Sequence, residues 1–134
     1  MDTNWVKNLI RVGRVSQVDG AACTARVVFN DADESVSYDL PILQPCAKDN
    51  AAYSLPDIDT QVVCIFLPNA SGKGLNAGYI VGACYSTADE PKENNADAKS
   101  LRFADGSYIR YEAGNIEIHA AGDVVITGAN IRLN

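Results

Sequence analysis

One histidine, four cysteines and scattered carboxylates are what this chain of 134 residues offers for chemistry. His119 has no Ser or Cys beside it in a fitting motif, so it anchors no set of nucleophile, base and orienting group. Cys23, Cys46, Cys64 and Cys84 are widely spaced; none forms a Cys-x-x-Cys pair, and no His lies near them. That spacing does not suit zinc. Cys23, Cys64 and Cys84 fall in strand-like runs and are expected to be buried free thiols acting as small hydrophobes. Asp57 and Asp59 sit in a loop and are expected to be solvated. Asn30-Asp31-Ala32-Asp33-Glu34 opens like a calcium loop but lacks the Gly and distal Glu of one. Ser71-Gly72-Lys73-Gly74 is partly like a phosphate loop. However, Leu67 stands where the first Gly is required, and Gly74 where Ser or Thr should hold magnesium. These residues predict a protein that is not an enzyme, with no catalytic residues, no metal and no cofactor.

The composition points to a folded chain with another kind of task. Hydrophobic residues make up 47% of it, enough for a core. No apolar run reaches the length of about 18 residues that a membrane helix needs. Met1 to Asn8 lacks the basic start and apolar stretch of a secretory leader, which predicts synthesis and folding in a cytoplasm and argues against a disulfide framework. Formal charge is −6, with six basic and nine acidic residues up to Thr87 and five and eight beyond it. Neither part offers a basic footprint for nucleic acid.

The elements follow in order. Residues 2–9 could form one helical turn capped by Asp2 or Thr3, with Trp5 and Leu9 on one face. That face would cap the chain's own core or dock onto a partner. Ile10, Val12, Val15 and Val18 then lead into Asp19-Gly20, a hairpin signal, and Ala25–Phe29 continues as a strand. Val36, Tyr38 and Leu40 alternate with polar residues, which predicts a half-buried strand. Pro41 and Pro45 bracket an extended segment suited to a sheet edge. Residues 46–59 read as a long loop. Gln61–Leu67 is a continuous apolar run, expected to be a strand buried on both faces. Ala77–Tyr85 is the last strand of this part, with Gly78 and Gly82 marking a bend or bulge. Five short strands over this span predict a small closed barrel of the oligonucleotide/oligosaccharide-binding (OB) type. The polar stretch at 88–100 reads as a linker.

Residues 101–134 have a rhythm of their own. Gly106, Gly114, Gly122 and Gly128 are spaced eight, eight and six residues apart and are expected to be turns. Between and beyond them stand the apolar pairs Ile116 and Ile118, Val124 and Ile126, and Ile131 and Leu133, each pair on one face of a strand. Burying one such side chain contributes roughly 1.5–3 kcal/mol, whereas ordering each residue costs about 1–2 kcal/mol in backbone entropy. With so few apolar residues per strand, the segment does not balance alone. Two arrangements supply neighbours: a meander folded onto the rest of the chain, or several copies wrapped into a shaft. Inward isoleucines would place His119 outward; the reverse register would bring copies of His119 together on the axis.

Ile10–Val18, Asp39–Leu43, Pro56–Val63, Phe66–Asn69, Gly78–Gly82 and the Phe-x-Asp-Gly-x-x-Ile-x-Tyr run from Phe103 to Tyr111 stand in an order that resembles the phage baseplate assembly protein V family. Those proteins are central spikes of contractile tails and are similar in outline to type VI secretion spikes. The resemblance extends from about residue 10 to residue 134. It implies an all-β homotrimer: a docking segment at 1–9, an OB-type barrel at 10–87, a linker at 88–100 and an intertwined three-chain β-helix at 101–134. The inward side chains of that shaft would be the six apolar residues named above. The resemblance also implies a place on the baseplate axis of a virion or tail-like particle, after assembly in the host cytoplasm. Hub proteins would sit above the barrel, where Trp5 and Leu9 are docking candidates, and the spike would be driven into the target cell envelope on sheath contraction. Longer members end in an apex where His-x-His pairs hold a metal ion. Here the single His119 lies mid-shaft, so a blunt end, a separate tip protein or a truncated chain is expected instead. A barrel that binds oligonucleotide or oligosaccharide is the alternative, disfavoured by the charge and by Phe29, Tyr38, Phe66 and Tyr79 occupying strand positions.

Overall fold

The computed structural model describes residues 9–29, 35–68 and 75–134, and every regular element among them is a strand. Trp5, the expected helical turn, the acidic stretch 30–34 and the phosphate-loop-like turn lie outside the described residues. The chain divides into two units between Glu90 and Pro91, within the stretch read as linker.

The first unit is a nearly closed five-stranded barrel, β1 (Ile10–Asp19), β2 (Thr24–Phe29), β3 (Leu40–Pro41), β4 (Gln61–Pro68) and β5 (Leu75–Ala83), in the order β3-β2-β1-β4-β5. All named pairs are antiparallel. A parallel bridge between Ile42 and Ile80 closes the circuit, with the Leu43 N–H donating to the Ile80 carbonyl at 3.1 Å. This connectivity is consistent with the OB type. β1 serves both sides: its first half pairs with β4, and the part from Gly13 onward pairs with β2. An irregularity between Val15 and Gln17 bends it from one side toward the other.

Alternation fills the interior. Val15, Val27, Val62, Cys64 and Ile80 are fully buried, and Ala25, Phe29, Leu40 and Ile42 complete the core. Gly78 is fixed by a close approach, because a Cβ there would lie 2.5 Å from the Phe66 ring and 2.7 Å from the Ile65 carbonyl. The bulge expected near Gly82 is present: between Val63↔Gly82 and Cys64↔Ile80, β5 has one residue more than β4.

Several expectations need correction. The first hairpin turns through Gly20–Cys23 rather than through Asp-Gly alone. Asp19 Oδ1 accepts from the Ala21 and Ala22 amides, and Cys23 takes the left-handed conformation at φ 55°. Val36 and Tyr38 are exposed, since that stretch makes one bridge to β2 before β3 begins. The segment after Pro41 seals the barrel and is not a free edge. β4 is buried on one face only: Val62 and Cys64 point in, while Ile65 and Leu67 are exposed.

Of the thiols, Cys64 alone is fully buried; Cys84 is exposed beyond β5, and Cys23 is half-buried in its turn. Burial pushes the Cys64 thiol up to about 11. A thiol reagent at neutral pH should therefore label Cys46 and Cys84 quickly and Cys64 only on unfolding, as read by mass spectrometry. Rapid native labelling of Cys64 would contradict this core.

The second unit is a three-stranded antiparallel sheet, β6 (Lys99–Arg102), β7 (Tyr108–Glu112) and β8 (Asn115–His119). β6 begins inside the expected linker. Gly106 (φ 93°) and Gly114 (φ 86°) make the two turns, the second with Ala113 also at positive φ (49°), as a two-residue type I′ hairpin requires. Gly122 and Gly128 are not left-handed, and no strand forms over 120–134. A strand needs a ladder partner, and among the described residues none pairs with this stretch. The apolar pairs at 124–126 and 131–133 are therefore not strand faces of a single chain.

Candidate oligomerisation surface

The sheet of the second unit has two unlike faces. Register aligns Leu101, Ile109 and Ile118 in one row and Lys99, Tyr111 and Ile116 in a row on the same face. The other face carries the row Arg102, Tyr108 and His119 and the row Ser100, Arg110 and Glu117. His119 thus lies on the face opposite to Ile116 and Ile118.

The polar face is internally satisfied. His119 stacks on Tyr108 with ring centroids 5.2 Å apart, and the Tyr108 hydroxyl donates to Glu117 Oε2 at 3.0 Å. Glu93, before β6, reaches over this face and bridges Arg102 at 3.1 Å and Arg110 at 2.9 Å. Arg110 also pairs with Glu112 at 2.6 Å, and the Asn95 amide donates to the same Glu112 carboxylate. The stretch from Pro91 is therefore a strap held by charge-assisted bonds. Reading it as a linker missed this role. The available signal was Arg102 and Arg110, both on the polar face of one hairpin, with acidic residues just upstream.

Arg110, and then Arg102, hold the Glu93 carboxyl down from the usual 4.5 to about 2. The folded form thus takes up that proton less readily than the unfolded chain. The contribution of these pairs is complete above about pH 4.5 and is lost as pH falls through about 2. Between pH 4.5 and 2 the thermal midpoint of the full chain should fall more steeply than that of Glu93→Gln. Equal slopes would contradict the clamp.

The apolar face is exposed among the described residues. Ile116 is 72% exposed and Ile118 61%, with Leu101, Ile109 and Tyr111 also exposed. Val124, Ile126, Ile131 and Leu133 are exposed as well, Leu133 at 93%. Among the described residues, only Ala98 of the second unit is a buried hydrophobic residue. An exposed apolar sheet face of this kind is a candidate association surface.

Neither any protein-family model nor any curated protein matches this chain in sequence.

A second candidate lies at the barrel seam. A cleft of about 340 Å³ opens between the stretch leading into β3 and the start of β5, lined among others by Arg11, Phe29, Tyr38, Asp39, Phe66 and Tyr79. The Arg11 guanidinium lies 3.9 Å from the centroid of the Phe29 ring and donates to Ser35 Oγ, while Asp39 is paired with Arg26. Phe29 is buried, but Tyr38 and Tyr79 are exposed, so two of the four aromatics are open to a ligand. Leu9 is half-buried, and its carbonyl accepts from the Phe66 amide, which extends the β1–β4 pairing. Among the described residues no three His, Cys, Asp or Glu side chains gather as a metal-ligand set.

Proposed function

We propose that the chain is the structural central spike of a contractile-tail baseplate: a homotrimer whose residues 101–134 wrap with two other copies into a β-helical shaft. The reading is carried by the uncovered apolar face of β6–β8, continued by Val124, Ile126, Ile131 and Leu133. In a trimer these side chains supply the burial that one chain lacks, and 120–134 gains ladder partners from its neighbours. The strap and the Tyr108–His119 stack stay on the wet outer side. The resemblance of the ordered motifs to the baseplate assembly protein V family supplies the biological setting.

The mechanism is mechanical. Sheath contraction supplies work and the spike transmits it into the target envelope, so the requirement is resistance to unfolding. When three chains share every layer, no strand peels away without breaking contacts to two others. Hub proteins above the barrel and a separate tip protein at the C-terminal end are the partners this role calls for. In cells that make the chain, gold-labelled antibody against it should mark the baseplate end of contractile tails. Labelling absent from such particles would overturn the assignment.

The seam cleft, with exposed Tyr38 and Tyr79, favours a second reading as a binding barrel. Single-stranded DNA retarded by the chain at low salt would support it, and no retardation is expected for the spike.

A further inference from the structure

Among the described residues, the barrel has an exposed apolar face. β1, β4 and β5 are neighbours. Ile10 stands opposite Ile65, and Ile65 opposite Tyr79, so three apolar side chains cross three strands in one row. Val12 opposite Val63 forms the next row, and Leu67 opposite Ala77 flanks the first on its other side. Ile10 is 66% exposed and Val12 51%, with Ile65, Leu67 and Tyr79 also exposed. No charged side chain interrupts these rows; Arg14, opposite Gln61, marks the edge.

We propose that this face of β1, β4 and β5 packs against the same face of the other two barrels around the three-fold axis. The proposal rests on the trimer reading, and its occupant is a second and third copy of this chain. Charge favours copies: each barrel part, up to Thr87, carries a formal −3, so barrels approach one another best through a surface free of charge. Tethering favours them too. Three chains joined by their shafts hold their barrels at an effective concentration of the order of millimolar. At that concentration a patch well below the roughly 800 Å² per partner of a free-standing interface is sufficient. The continuous apolar run of β4 follows directly: one face fills the barrel and the other meets the neighbouring copies.

Cysteine linking tests this in the full chain. Cys23→Ser, Cys46→Ser and Cys84→Ser remove the exposed and half-buried thiols, while buried Cys64 stays unreactive. Ile65→Cys is added to this background, with Arg26→Cys on β2 as the outward control. Under mild oxidation Ile65→Cys should form linked pairs of chains at least about ten times faster than the control, with light scattering giving the mass of three chains. Val12→Cys repeats the measurement on the same face should Ile65→Cys disturb folding. Three-chain mass with linking no faster than the control would overturn the barrel contact alone and leave the face to solvent or to another protein. One-chain mass would overturn the contact and the trimer together.

Discussion

Ile118→Asp should abolish the three-chain species and lower the thermal midpoint severely, whereas His119→Ala should leave both nearly unchanged. The contrast comes from the two faces of β6–β8. In a single chain Ile118 is 61% exposed, so a carboxylate there would cost no more than about 0.5 kcal/mol. In the proposed trimer three copies of Ile118 would approach the axis. Each buried unpaired charge then costs several kcal/mol, and the three repel one another. Solution mass and thermal unfolding read the result. An unchanged mass and midpoint for Ile118→Asp would show that the inward face has been assigned wrongly.

Ile80→Ala should cost the barrel about 2–5 kcal/mol, a large part of the 5–15 kcal/mol typical of a domain. Ile80 is fully buried, stands opposite Cys64, and bridges to Ile42 where the barrel closes. The truncated side chain leaves a cavity bounded by β3, β4 and β5. The urea midpoint of the barrel transition should fall sharply while the solution mass stays at three chains, because the shaft surface is untouched. A loss below about 1 kcal/mol would mean that the closing contact contributes little to the core.

Much of the barrel was legible because its signals are local. Asp19-Gly20 marks the first hairpin, and the apolar runs around Val15, Val27 and Val62 mark β1, β2 and β4 as strands. Cys84 was misread because a thiol placed just past the end of β5 has the same sequence context as one inside it. β4 was misread for a more general reason. An apolar run says that both faces avoid water, but not whether the second face is covered by the same chain or by another molecule. The tail shows the same limit. Gly106 and Gly114 lie in hairpins closed within one chain and take positive φ. Gly122 and Gly128 do not, because among the described residues no strand turns back against 120–134. The strap was hidden because Glu93 and Asn95 look like linker residues until the sheet brings Arg110 and Glu112 beside them.

The solution mass of the full chain, measured by light scattering after size exclusion beside a 1–90 truncation, tests the central claim most directly. The account predicts a full-length species of three times 14.3 kDa, with the truncation smaller or only weakly associated. A full-length monomer would contradict it, removing the burial argument and the mechanical role together and leaving the binding barrel as the reading to pursue.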